Sequence, residues 1–196
     1  MSQYFDNDEN VKSDPVSVSC WAGSRELTFI TDSGVFSRGE IDDASLLLVK
    51  QLPPLEGRVL DLGCGYGFIG QWLKARMPAI EAVQSDVNRR AVELCERNRA
   101  ANGLDTAVIL SDGFAALEGD FDAVVLNPPI HAGKEVCYRL YAETKERLRE
   151  GGRLYIVMRK KHGAESTVRH LRDEGWRVEE LYRKKGIGVY ACSPVR

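Results

Sequence analysis

The sequence predicts an α/β protein built on a doubly wound, mainly parallel sheet, with a β-hairpin in front of it. Three observations carry this. Short β-branched runs alternate with helical patterns from residue 58 onward, as they do when crossover helices join parallel strands. One run, Arg58-Val59-Leu60-Asp61-Leu62, closes on an acid and leads into Gly63-Cys64-Gly65-Tyr66-Gly67 before a helical pattern begins. The chemically suggestive residues all fall at the C-terminal ends of strands, where such sheets bind ligands.

In order, residues 1–40 read as an N-terminal arm and hairpin, and 41–196 as the main domain. Residues 1–15 are polar and acidic and look like a loosely ordered arm, without the basic start or apolar centre of a signal peptide. Segments 17–21 and 26–31, split by Ala-Gly-Ser, read as paired strands. The loop 32–39 carries Phe36 and Arg38. Ile41, Ala44, Leu47 and Leu48 show helical spacing over 41–52, stopped by Pro53-Pro54. Strands over 59–62, 80–85, 107–110, 121–126, 153–158, 176–181 and 188–192 then alternate with helices over 68–76, 88–102, 135–149 and 164–174. Gly103, Gly151-Gly152 and Gly175 read as helix stops.

With 196 residues, 43% of them hydrophobic, the chain has material for one core, and so for one domain. No apolar run approaches the roughly 18 residues of a membrane span, so a cytoplasmic protein with no membrane partner is expected. The five cysteines form no CxxC pair, which argues against a disulfide framework and against a metal site. The net charge of −2 conceals an asymmetry: residues 1–130 hold 11 Lys+Arg against 20 Asp+Glu, and residues 131–196 hold 16 against 9. A basic C-terminal third suits a polyanion-facing surface, and equally ordinary solvated helix faces.

Alternating glycines let a ligand lie against the main chain, and a helix N-terminus just beyond offers unpaired N–H groups. Gly65-Tyr66-Gly67-Phe68-Ile69-Gly70 satisfies GxGxxG, and Asp86 follows Gly67 by 19 residues. A dinucleotide site predicts these same features. Two details favour a different ligand. Asp61 at the mouth of the loop would repel a pyrophosphate and attract an ammonium group, and Gly63 opens one more backbone position. A ligand with a ribose, an adenine and an amino-acid end but no phosphate fits: S-adenosylmethionine.

Asp61-Leu62-Gly63-Cys64-Gly65-Tyr66-Gly67 resembles motif I of class I S-adenosylmethionine-dependent methyltransferases. That resemblance implies a Rossmann-like, seven-stranded sheet whose last strand is antiparallel. It also implies Asp61 near the methionine amino group, Gly63, Gly65 and Gly67 along the methionyl and ribose parts, and Asp86 on the ribose hydroxyls. Asp112, ending the third strand of the sheet, would meet the adenine amino group. Singly, Asp86 also suits a helix N-cap beside Asn88, and Asp112 a turn; three acids ending successive strands point to one ligand.

Asn127-Pro128-Pro129 speaks to the reaction. The lone pair of an exocyclic or amide nitrogen is delocalised into the attached π system, so an enzyme must orient it toward the methyl. The Asn127 side-chain oxygen and the Pro128 carbonyl can do so by accepting both N–H bonds, on a backbone that the prolines restrict. Asn-Pro is also common turn chemistry. Ile130 stands where many relatives have a stacking aromatic; it offers an apolar wall, and His131 a ring or a hydrogen bond.

A narrower resemblance joins Ser33-Gly34-Val35-Phe36-Ser37, the Asp61 motif, Asn127-Pro128-Pro129-Ile130-His131-Ala132-Gly133-Lys134 and Arg159-Lys160-Lys161-His162. Together these are similar to the MTS domain of bacterial rRNA guanine-N2 methyltransferases, and to their single-domain relatives. The resemblance implies methyl transfer to the 2-amino group of a guanine in small-subunit rRNA, free or in a ribosomal particle; separately, a monomer is the expected state. Phe36 and Arg38 would lie over the cofactor or target base. Lys134, Arg159, Lys160 and Lys161 would meet phosphates, with Arg183-Lys184-Lys185 further off. Rival readings are a protein-glutamine N-methyltransferase, a nucleic-acid adenine-N6 methyltransferase, a nicotinamide-dependent oxidoreductase and a non-catalytic RNA-binding factor.

Overall fold

The structure, a computed structural model, describes residues 11–195; the first ten residues, which hold most of the expected arm, and Arg196 lie outside the described residues. Strands β1 (Val16–Ala22) and β2 (Arg25–Thr31) pair antiparallel. Then come α1 (Asp43–Gln51), β3 (Arg58–Leu62), α2 (Phe68–Arg76), β4 (Glu81–Asp86), α3 (Arg89–Ala101), β5 (Thr106–Leu110) and β6 (Phe121–Leu126). The chain ends with α4 (Lys134–Arg147), β7 (Leu148–Arg159), α5 (Ala164–Asp173), β8 (Trp176–Lys184) and β9 (Ile187–Pro194).

The main sheet has seven strands in the order β5-β4-β3-β6-β7-β9-β8. Strands β3 to β7 run parallel, and the last strand, β9, runs antiparallel to both its neighbours. The winding direction reverses between β3 and β6. A crevice therefore opens beyond their C-terminal ends, where no crossover covers the sheet edge.

Side-chain alternation explains why helices cover both faces. On β6, Ala123 and Val125 enter a core with α1, α2 and α3, while Val124 and Leu126 enter a second core with α4 and α5. A strand buried on both sides needs this continuous apolar run.

The hairpin is bound tightly to this frame. Leu27 and Phe29 are buried in the first core, and the Phe29 ring meets the rings of Tyr66 and Phe68 edge-on, each at 5.7 Å. About one turn apart, Asn98 of α3 and Asn102 at its C-cap each pair a side-chain amide with both backbone groups of one β2 residue. Ile30 bonds Asn98 at 2.8 and 2.9 Å, and Thr28 bonds Asn102 at 3.0 and 2.9 Å. The two amides stand in for a neighbouring strand and satisfy an exposed edge. The division expected at residue 40 separates two sheets that share one core.

The boundary between α4 and β7 differs most from expectation, while β8 and β9 run two to three residues past their expected ends. Helix α4 stops at Arg147, and β7 begins at Leu148, which pairs with Phe121. Gly151-Gly152 are not a helix stop but part of an irregularity inside β7, where the register against β6 shifts. A Cβ at Gly152 would approach the Phe121 carbonyl to 3.1 Å, so the close strand approach requires glycine there.

Candidate active site

The crevice is a cleft of about 230 Å³. Gly63 and Gly65 line it with positive φ of 72° and 55°. A Cβ on either would find only one methyl, 4.0 Å away, so the main chain there is open to a ligand. Gly67 differs. A Cβ there would collide with Gln71 and come within 2.6 Å of Cys95 Sγ. Gly67 thus lets α2 and α3 close up and does not itself line the cleft.

Asp86, at the end of β4, lines the cleft. One carboxylate oxygen accepts from Gly65 N at 2.8 Å and the other from Asn88 N at 2.9 Å. A carboxylate offers about four acceptor sites, so capacity remains while the glycine loop is tied to the start of α3. Burial pushes the Asp86 pKa up. The N-cap of α3 is Asn88, whose side chain accepts from Arg90 N, not Asp86.

Asp61 lies behind the loop, only 1% exposed. Its Oδ2 accepts from Gly70 N at 2.8 Å and from Gln84 Nε2 at 3.2 Å. Its Oδ1 is buried with no partner among the described residues. Burial outweighs the two hydrogen bonds and pushes the carboxyl up to about 7. An orphaned carboxylate oxygen is costly and suits a cationic donor. Asp61 is not among the residues that line the cleft; its carboxyl sits behind the open glycines, and with Gly63, Gly65 and Asp86 on the wall the arrangement fits the amino-acid and ribose parts of S-adenosylmethionine.

Asp112 also lines the cleft, with Oδ1 accepting from Arg139 Nη2 at 2.6 Å. Arg139 sits on the wall from α4 and pairs with Glu143 at 2.9 Å as well. Sequence reading overlooked it, because charged residues of α4 look like a solvated face.

Across the cleft, past β6, Asn127 Nδ2 donates to Ser45 Oγ at 2.9 Å and to Asp42 Oδ2 at 3.3 Å. The Pro128 carbonyl accepts from Ile130 N at 2.8 Å over an inverse γ-turn, with Pro129 at φ −76°, ψ 71°. That bond fixes the carbonyl's direction and leaves its second lone pair. Pro129, Ile130 and His131 continue the wall. Asp42 and Ser45, at the start of α1, were not singled out from sequence; an Asp N-cap is the one local signal there.

Phe36 lines the cleft and is 45% exposed. Arg38 does not join it: it forms an ion pair with Asp14, and its Nε donates to the Asp14 carbonyl at 2.9 Å. Arg159, expected at a phosphate, instead faces Asp42 inside the cleft at 2.9 Å. Lys160 and Lys161 are exposed in a short 3-10 turn beside the cleft, where His162 joins the wall. Lys160 N donates to the Gly186 carbonyl at 2.7 Å. The end of β8 at Lys184 and the turn at Lys185 are therefore neighbours, not the remote cluster expected, and Arg183 is held by Glu180. Among the described residues no three side chains are grouped to hold a metal, and no helix is long and apolar enough to cross a membrane.

A seven-stranded sheet of this order with this cleft is the class I methyltransferase fold. The T. thermophilus 16S rRNA N2 G1207 methyltransferase (RsmC), solved with AdoMet and guanosine, overlays 94% of this chain and 52% of its own, with a TM-score of 0.81 and 29% identity. The description of the methyltransferase small domain family matches residues 26–191, and the chain belongs to that family. The ribosomal protein L11 methylase of Lactobacillus delbrueckii subsp. bulgaricus shares the fold at a TM-score of 0.67 and 19% identity over 78% of each chain. In sequence, the uncharacterized protein YbxB of Bacillus subtilis is 38% identical over 98% of both chains. Ribosomal RNA small subunit methyltransferase C of Aeromonas hydrophila is 39% identical over 70% of this chain and 42% of its own. The chain thus spans less than half the length of that rRNA methyltransferase.

Proposed function

We propose that this protein methylates the exocyclic 2-amino group of a guanine in small-subunit rRNA. The observation that carries the reading is the pair of acceptors after β6, the Asn127 amide and the Pro128 carbonyl, on the same cleft as the open glycines and Asp86. The methyl donor is S-adenosylmethionine, whose sulfonium makes the methyl electrophilic.

On the donor side, Asp61 attracts the ammonium group by its charge from behind the loop, Gly63 and Gly65 lie along the methionyl and ribose parts, and Asp86 accepts from the ribose hydroxyls. Asp112 accepts from the adenine amino group beside its bond to Arg139. Gly67 acts through helix packing. On the acceptor side, Asn127 and Pro128 take the two amine N–H bonds and turn the nitrogen lone pair out of the ring plane. They also stabilise positive charge as it develops on that nitrogen. Fixed alignment supplies most of the rate.

Phe36, Pro129, Ile130 and His131 form the base's wall. Lys160 and Lys161, joined by Lys184 and Lys185, meet the phosphates. This basic rim favours RNA over the glutamine amide that the same acceptors would serve. The rRNA methyltransferase C relatives and the guanosine of the T. thermophilus structure support the same substrate.

The test is transfer of labelled methyl from S-adenosylmethionine to small-subunit rRNA, free and in particles, followed by nucleoside analysis. Label in N2-methylguanosine is expected. Label in methyladenosine, or in a protein glutamine with none in guanosine, would overturn the assignment.

A further inference from the structure

The proposed reaction needs an amide oxygen facing the substrate amine, yet a side-chain amide can present either end. Turned over, Asn127 would set its own N–H groups against those of the amine. We infer that Asp42, Ser45 and Arg159 are positioning residues that hold the Asn127 oxygen toward the acceptor amine. This rests on the reading above that Asn127 accepts from that amine.

A carboxylate accepts and cannot donate, so Asp42 Oδ2, 3.3 Å from Asn127 Nδ2, admits only the nitrogen end. Ser45 Oγ, 2.9 Å from the same nitrogen, accepts the second hydrogen. Both hydrogens are then committed, and the oxygen points the other way. Drawing both hydrogens toward acceptors polarises the amide and strengthens its oxygen as an acceptor.

Asp42 is itself held from two sides. It is the N-cap of α1, where Oδ2 accepts from Ser45 N at 2.7 Å, with the helix dipole favouring its charge. Its Oδ1 faces Arg159 Nη2 at 2.9 Å, and the two side chains are only 14% and 29% exposed. A partly buried, charge-assisted bond of this kind resists rotation. The clamp joins the start of α1, the end of β6 and the end of β7, three segments that meet only in the folded chain.

Two measurements test this. The first follows the Asn127 side-chain NH2 by 15N spectroscopy of the ligand-free protein, assigned by its loss in Asn127→Ala. Its protons should exchange slowly in the wild type and about ten-fold faster or more in Asp42→Asn and Ser45→Ala. This readout involves no substrate, so it stands even where the wild type methylates something other than guanine. The second measures turnover on rRNA. Asp42→Asn retains a residue that caps α1, yet kcat should fall about 10²-fold with KM for S-adenosylmethionine unchanged, and Asp42→Glu should recover part of the loss. Unchanged protection, or undiminished kcat in folded Asp42→Asn, would overturn the inference. Failure of the wild type to methylate guanine would instead overturn the proposed function.

Discussion

Replacing Asp61 by Asn should make the protein more stable and a poorer binder of its methyl donor. The carboxyl is raised to about 7 by burial, against an ordinary value near 3.9, and about three pKa units correspond to about 4 kcal/mol against the charged form. The sign follows from linkage. The native carboxyl keeps its proton between pH 4 and 7 while the unfolded one has lost it, so wild-type stability falls through that window and levels off above it. Asparagine carries no such term. It still accepts from Gly70 N, but its new N–H pair takes the orphaned Oδ1 position, and an unsatisfied buried donor costs about 1–3 kcal/mol. The net gain is about 1–3 kcal/mol at pH 8, shrinking toward pH 4. Urea unfolding of both proteins at pH 5 and pH 8, with equal m-values, measures it. In calorimetry the same variant should bind S-adenosylmethionine about 10–100-fold more weakly, the loss of an opposite charge near the ammonium group. A variant no more stabilised at pH 8 than at pH 5 would refute the burial cost. Wild-type affinity would refute the claim that the Asp61 charge attracts the ammonium group.

Other outcomes follow from named contacts. Asn127→Ala should abolish methyl transfer while cofactor affinity by calorimetry changes less than about three-fold, because the open glycines and Asp86 remain. Lys160→Glu with Lys161→Glu should weaken RNA binding at 0.1 M salt and flatten the slope of log K against log salt by roughly 1.5, about 0.7–0.9 per lost phosphate contact. An unchanged slope would show that these lysines are only solvated. Asn98→Ala should destabilise the fold by about 1–3 kcal/mol in urea, since it leaves both Ile30 backbone groups and the Tyr66 carbonyl without their partner. An equal loss by near-UV and far-UV signals would show hairpin and sheet unfolding together.

What was legible in sequence is what is local. Helix α2 is read to the residue because Gly67 opens it and its apolar positions are periodic. Strand β6 is read because both faces are buried and the run is unbroken. Gly63, Gly65 and the Asn127-Pro128 pair stand out because their chemistry is set by immediate neighbours. The end of α4 was misread because glycines that stop a helix and glycines that let two strands approach look alike in a chain. The resemblance places Phe36 and Arg38 together over the cleft, but Ser37 between them lies at φ 61°, and the two side chains part company. The clamp on Asn127 and the joining of the two lysine turns through Gly186 are tertiary bonds between distant segments, so no spacing announces them.

The central claim is that the Asn127-Pro128 acceptors serve a guanine amine in rRNA. It is tested most directly by quantifying N2-methylguanosine, by mass spectrometry, in rRNA from cells lacking the protein and complemented with wild type or Asn127→Ala. One N2-methylguanosine should be missing without the protein, restored by the wild type and still missing with Asn127→Ala. A full complement in the deletion strain, or restoration by Asn127→Ala, would contradict the account.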